Sequence, residues 1–251
     1  SVLHSLGALY YQRGELDSAL SLVDQAVSEK PDNPHFQITL GAVLRARGQT
    51  LEAVQAFRRA AELDPNLEVA FYNLGNTLRD IGGLEDAVNA YKAYLEIKPQ
   101  DALVHSVLGD TYRMMEKDEE AIESYEIALS YDVDRAGDIC NIAGIMRDRG
   151  WYHAAYVLIR EAAEKRNPSP DLLRSRGLLA LQFGDLQQGW ADKENRFESS
   201  TERIFLRPTP PVYWGGEDLS GKSILVWTEQ GLGDEVLHGS MLPDVVARAQ
   251  T

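Results

Sequence analysis

Small and apolar residues return at a fixed step of 34 along most of this chain. Gly7, Gly41, Gly75, Gly109 and Gly177 share one register. Ala19, Ala53, Ala87, Ala121 and Ala155 share a second, and Gly14, Gly48, Gly82, Gly150 and Gly184 a third. Within each period apolar residues recur at helical spacing, first in one short segment and then in another. That pattern predicts two amphipathic helices per unit. A period of this length predicts a solenoid of stacked helix pairs.

The second unit shows the pattern in full. A first helix is predicted near His35 to Arg47, carrying Leu40, Gly41 and Leu44. Gly48 and Gln49 make a turn, and a second helix runs from Thr50 to Leu63 with Ala53, Phe57 and Ala60. Pro65 stops it. Gly41 and Ala53 are expected where the two helices cross, because small residues let backbones approach, with Phe57 filling the space beside them. The residue before the second helix is glycine in five units and Glu116 in the fourth. Glycine suits the left-handed conformation that ends a helix.

These residues resemble the tetratricopeptide pattern. Leu6-Gly7, Tyr10, Ala19, Ala26 and Pro31 carry it in the first unit, and Leu74-Gly75, Leu78, Ala87, Tyr91 and Pro99 in the third. Leu108-Gly109, Tyr112, Ala121, Tyr125 and Ala128 carry it in the fourth. The fifth unit has Ala143 in place of the glycine, followed by Ala155 and Ala162. The sixth departs after Gly177, with Gly189, Lys193 and Arg196 at positions meant to be small or aromatic. A terminal unit is expected to degenerate in this way, since no like neighbour stacks on it. The resemblance covers residues 1–198 and implies an all-α fold, a right-handed tetratricopeptide superhelix. Ser1 falls within a first helix, so further repeats are expected upstream.

Composition adds limits. The hydrophobic fraction of 44% suits a folded chain. The net charge of −14 argues against nucleic acid as a partner. Cys140, the one cysteine, leaves no internal disulfide and reads as a small buried residue of a helix. No run of 18 apolar residues is present, so no membrane span is expected, and without a visible signal peptide the expected location is cytoplasmic.

The pattern changes after Phe197. Residues 199–222 read as a linker with Pro208, Pro210 and Pro211. Residues 223–229 read as a buried strand, Gln230 to Asp234 as a glycine turn, and Glu235 to Gln250 as a helix bent at Pro243. Strand, turn and helix make the first βα unit of a Rossmann-like α/β domain over residues 223–251, whose remaining strands would lie beyond Thr251. This end resembles bacterial tetratricopeptide proteins fused to a heptosyltransferase-like glycosyltransferase domain. The residues that carry it are Gly189-Trp190, Glu194, Arg196, Trp214-Gly215-Gly216, Asp218 to Lys222 and, most specifically, Glu229-Gln230-Gly231-Leu232-Gly233-Asp234.

That resemblance implies Asp234 as a candidate general base, taking a proton from an attacking acceptor hydroxyl. Asp234 also reads as the cap of the following helix, and both roles are compatible. His238 and Ser240 stand where the resemblance leads one to expect an aromatic residue and an arginine. A sugar nucleotide is implied for the whole parent protein and no cofactor for this part. Three other signals weigh little. Gly216 to Ser223 fits a phosphate-loop expression but leads into a strand rather than a helix. Gly231-x-Gly233 lacks the third glycine of a dinucleotide fingerprint. Asp234 and His238, with Glu229 nearby, share a helix turn, but such spacing is common without a metal.

Arg45, Arg79, Arg113 and Arg147 also stand 34 apart, near the end of each first helix. They form a candidate track for acidic groups or backbone carbonyls on the concave face, although a cation there also suits the helix macrodipole. Asn73, Asn76 and Asn141 lie on the same helices, with Asn73 and Asn141 at one repeat position. In repeats of the O-GlcNAc transferase type, asparagine at this position holds a peptide backbone; the other reading is a polar group at a helix contact. Ser5, Thr39, Val107 and Ser175 interrupt the row. The expected function is an interaction module that binds a peptide or protein in its groove, as the N-terminal part of a glycosyltransferase. The alternative is a tetratricopeptide scaffold without catalysis.

Overall fold

Most apolar stripes read from the sequence find a neighbouring helix to cover them, while Leu6 and Leu9 near the start of the chain stay exposed. The protein is described by a computed structural model over residues 2–164 and 168–193. Among the described residues every regular element is a helix. They are α1 (Val2–Gln12), α2 (Leu16–Glu29), α3 (Pro34–Ala46), α4 (Thr50–Leu63), α5 (Glu68–Asp80), α6 (Leu84–Ile97), α7 (Ala102–Met114), α8 (Asp118–Tyr131), α9 (Ala136–Asp148), α10 (Tyr152–Ala163), α11 (Pro170–Gln182) and α12 (Leu186–Lys193). Each odd helix packs on the even helix after it, and each even helix packs on the odd helix of the next unit. The result is an all-helical solenoid of two layers, one odd-numbered and one even-numbered. The expected βα unit, with Asp234 and the linker before it, lies outside the described residues.

The predicted crossing is the centre of each unit. Ala19, Ala53, Ala87, Ala121 and Ala155 are fully buried. Four residues further on, Val23, Phe57, Tyr91, Tyr125 and Ile159 are buried as completely. These side chains press against the glycine of the odd helix. A Cβ on Gly41 would stand 2.6 Å from the Phe57 ring, one on Gly75 2.6 Å from Tyr91, and one on Gly109 2.7 Å from Tyr125. Those separations leave no room for a methyl group. The fifth unit obeys the same constraint from the other side, since Ala143 there accompanies the smaller Ile159. Burying each such side chain contributes roughly 1.5–3 kcal/mol.

Local chemistry sets the ends of the helices. Asn33 accepts from the backbone N–H of His35 and Phe36 at 3.0 and 3.3 Å, and Asp101 does the same for Leu103 and Val104 at 3.1 and 3.2 Å. Ser169 caps α11 through Leu172 at 3.2 Å. At the other end of the odd helices the turn residue is left-handed, with φ of 77–80° at Gly14, Gly48, Gly82, Gly150 and Gly184 and 59° at Glu116. That conformation lets the next residue donate back into the helix, as in Gln49 N–H to Leu44 O at 2.9 Å and Lys117 N–H to Tyr112 O at 2.9 Å. Glu116 therefore keeps the geometry that five glycines supply elsewhere.

The sixth unit departs from the pattern in its core. Arg176 stands where Leu6, Leu40, Leu74 and Leu108 stand in earlier units. It donates to Asp192 through Nε at 2.6 Å and Nη2 at 2.8 Å, with side chains only 15% and 5% exposed. A forked, buried ion pair thus replaces apolar contacts, and removing either partner would strand a charge.

The left-handed turn gives a direct test. A side chain in that region costs roughly 1–2 kcal/mol. Replacing Glu116 with glycine should raise the urea midpoint, by about 0.5–1 kcal/mol of stability once the greater freedom of unfolded glycine is deducted. Gly82→Ala should lower stability by a similar amount through the backbone alone, because a Cβ there meets nothing within 4 Å. Equal midpoints for the wild type and Glu116→Gly would refute the assignment of strain to this turn.

Candidate functional site

The odd helices share a face built from the first turn onward at steps of four, three and four. In α5 it holds Val69, Asn73, Asn76 and Asp80; in α7 it holds Leu103, Val107, Asp110 and Met114. In α3 the same positions are His35, Thr39, Ala42 and Ala46, and in α9 they are Gly137, Asn141, Gly144 and Asp148. The four arginines stand along the edge of this face, one residue before its last position in each helix.

Two of the arginines are tied to the next unit. Arg45 donates to Asp80 Oδ2 through Nε at 3.1 Å and Nη2 at 2.7 Å. Both side chains are well exposed, so the pair contributes about 0–1 kcal/mol and acts more to position than to stabilise. Arg113 donates to Asn141 Oδ1 at 3.1 Å. Arg147 lies 3.6 Å from the carboxylate of its neighbour Asp148. Arg79 makes no ion pair and no side-chain hydrogen bond among the described residues.

The asparagines divide between inward and lengthwise bonds. Asn76 accepts from the Tyr91 hydroxyl at 2.8 Å. Asn141 accepts from Arg113 and donates to Asp110 Oδ1 at 3.2 Å, and the same oxygen accepts from the Tyr125 hydroxyl at 2.7 Å. Asn73 donates to Val69 O in its own helix at 2.9 Å. Asn76 and Asn141 therefore serve as polar groups at helix contacts, and both remain partly exposed.

The tyrosine partners could have been found in the sequence, because the residue pairs change together. Phe57, without a hydroxyl, accompanies Ala42; Tyr91 accompanies Asn76; Tyr125 accompanies Asp110; Ile159 accompanies Gly144. An acceptor is present wherever a phenol is present. Burial pushes the Tyr91 phenol up to about 12, with Arg79 pulling the other way. Tyr125 and Tyr94 move in the same direction, through burial first and then through their carboxylate acceptors Asp110 and Asp101.

A buried carboxylate was missed by pattern reading. Asp138 is 3% exposed and stands where Phe36, Ala70, Val104 and Leu172 stand in other units. Ser106 donates to one of its oxygens and Arg135 Nε to the other at 2.7 Å. The break in an otherwise apolar register was the available signal. Cys140 is only partly buried; its thiol lies 3.4 Å from Ser175 Oγ, and burial raises its pKa. His4 bonds Thr39 Oγ1 at 2.8 Å and stacks on Phe36 at 4.5 Å, a packing role between units. Among the described residues no group of three His, Cys, Asp or Glu side chains is arranged to hold a metal ion, and no helix is long and apolar enough to cross a membrane.

Three family models meet this chain, all for the same repeat. Tetratricopeptide-repeat models match residues 1–28 and 72–138, and a TPR repeat model matches residues 41–82. Protein FlbA of Caulobacter vibrioides is 40% identical over 90 residues, which are 34% of this chain. The match spans only 15% of FlbA's length. A tetratricopeptide repeat protein from Parabacteroides merdae superposes with a TM-score of 0.64 at 20% identity, covering 79% of this chain and 78% of that one. YrrB, described as a TPR protein with an unusual peptide-binding site, superposes at 0.54 and 14% identity, over 72% of this chain and 94% of its own. At these identities the two structures bear on the fold alone.

The tyrosine network predicts an alkaline limit to stability. The folded-state pKa of Tyr91 lies above the ordinary phenol value of about 10. Its contribution is therefore complete below pH ~10 and is lost as the pH rises toward 12. Urea midpoints measured from pH 9 upward should fall over that window, and Tyr91→Phe should flatten the fall. An equal slope in the variant would assign the alkaline loss to other groups.

Proposed function

We propose that this tetratricopeptide-repeat protein is an interaction scaffold whose odd-helix face is a groove for an extended peptide or protein segment. The observation that carries this reading is the row Arg45, Arg79, Arg113 and Arg147, one per unit on successive odd helices. The pairs that join neighbouring odd helices, Arg45–Asp80 and Arg113–Asn141–Asp110, support it further by holding the face in one shape before a ligand arrives. A preformed surface loses less conformational entropy on binding. Guanidinium and amide groups at repeating distances suit a chain whose own carboxylates and carbonyls repeat. A peptide-binding site is named for YrrB, and a ligand of the same kind is proposed here.

In the parent protein the scaffold would deliver a protein or glycan acceptor to a glycosyltransferase-like domain that begins near Ser223. The run from Glu229 to Asp234 supports this second half of the proposal, with Asp234 as the candidate general base and a sugar nucleotide as donor. A scaffold without catalysis is the other outcome.

Two measurements test these halves separately. Arg79→Glu with Arg113→Glu should weaken selection of peptides from a random display library by about tenfold or more, since each carboxylate would repel what the guanidinium attracts. Binding undiminished by the double change would remove the arginine row from the function. For the catalytic half, the parent protein should transfer sugar from one member of a donor panel, and Asp234→Ala should lower the rate by about 10²–10⁴-fold. No transfer from any donor would leave the scaffold alone.

A further inference from the structure

The arginine row is periodic in sequence but not in what it touches. Arg45 reaches an acceptor 35 residues on, Asp80. Arg113 reaches one 28 residues on, Asn141. For Arg79 those same steps lead to Met114 and Val107, which accept nothing. Arg147 is balanced by Asp148 in its own helix. Arg79 is thus the guanidinium of the row left without an ion pair or side-chain hydrogen bond among the described residues.

The acids nearest to it in the repeat are already engaged. Asp80 is held by Arg45, and Asp110 accepts from both Tyr125 and Asn141. Around the Tyr91 hydroxyl two guanidiniums, Arg45 and Arg79, act against one carboxylate, Asp80. The local balance is positive in a chain whose net charge is −14. On an acidic chain such a local excess of positive charge attracts an anionic group.

The strip beside this charge has its own character. On α7 the face carries Leu103, the part-buried Val107 and Met114 around the engaged Asp110, with Leu103 50% and Met114 56% exposed. The matching strip on α5 is polar after its first residue, with Asn73, Asn76 and Asp80. From α5 to α7 the face thus passes from a partly exposed Arg79 without a side-chain partner to the exposed apolar side chains of Leu103 and Met114.

We propose that Arg79 is the recognition point of this face: it binds the side-chain carboxylate of an extended acidic segment in a partner protein, whose neighbouring apolar side chains lie along Leu103, Val107 and Met114. This rests on the groove reading above and specifies its ligand. The two fixed arginines shape the groove on either side, and Arg79 supplies the charge that selects. A guanidinium with an open fork takes a carboxylate through two parallel hydrogen bonds, which gives direction as well as attraction. The apolar strip rewards burial of an aliphatic or aromatic neighbour.

The test uses degenerate pools of short synthetic peptides and the whole chain. One pool has a fixed glutamate with apolar neighbours and an amidated C-terminus; a second replaces the glutamate with glutamine. A third keeps the glutamine and leaves the C-terminal carboxylate free. The wild type should prefer the glutamate pool to the glutamine pool by about tenfold, the effect of one well-placed charged pair. Arg79→Gln should abolish that preference, whereas Arg58→Gln, an exposed change on the even helix α4 away from the row, keeps it. Met114→Gln should weaken binding of the glutamate pool without changing the ratio between pools. Unfolding midpoints check that each variant remains folded.

Retention of the preference in Arg79→Gln overturns the assignment, as does a preference for the free C-terminal carboxylate over the internal glutamate. Binding that the double Arg79→Glu, Arg113→Glu change weakens, but that shows no choice between glutamate and glutamine, removes this inference and leaves the groove. Failure of every pool to bind removes both.

Discussion

The close approach of each odd helix to its even partner is the constraint on which the rest depends. Gly41, Gly75 and Gly109 admit a ring where no methyl group would fit, and Phe57, Tyr91 and Tyr125 occupy that space completely. Because the contact is tight, the relative position of the two helices in a unit is fixed within narrow limits. Everything outside the crossing inherits that position. The left-handed turn must return the chain at once, and the next odd helix must meet the even helix at the same offset. A row of side chains one period apart then becomes a row in space.

Polar chemistry has been added to this frame without disturbing it. The phenols of Tyr91 and Tyr125 are buried, yet each finds an oxygen on the odd helix, so neither is left unsatisfied. Tyr94 bonds Asp101, the residue that also caps α7, and so joins a core side chain to the start of the next unit. Asp138 and the Arg176–Asp192 pair place charge where other units are apolar, and both are fully partnered. Such groups add little net stability compared with apolar packing, but they penalise any arrangement in which the partners separate. They mark the fifth and sixth units as different from the four before them.

The same frame distributes charge unevenly. The even helices carry many acids toward solvent, as in Glu119, Glu120, Glu123 and Glu126 of α8. The odd helices carry the arginines, three of which are set against an acceptor or acid nearby, Asp80, Asn141 or Asp148. A row that is engaged at three points and open at one discriminates better than a uniformly basic one. Uniform charge attracts any anion, whereas the site proposed at Arg79, with exposed Leu103 and Met114 on the next odd helix, would ask for charge and apolar surface together.

The sequence by itself determined the architecture. A period of 34, with glycine, alanine and a bulky residue in constant register, specifies helix pairs because those residue types are the sizes the crossing can hold. It also placed the arginine row and the turn at Glu116. What it could not determine was which members of a periodic row are occupied. Arg45, Arg79, Arg113 and Arg147 are identical letters in identical register. Their difference lies in Asp80, Val107, Met114 and Asn141, residues of the following helix that come within reach only when the units stack. Asp138 and Arg176 are legible only as irregularities for the same reason: a buried charge acquires its meaning from a partner distant in sequence, and the packing of the solenoid supplies that partner.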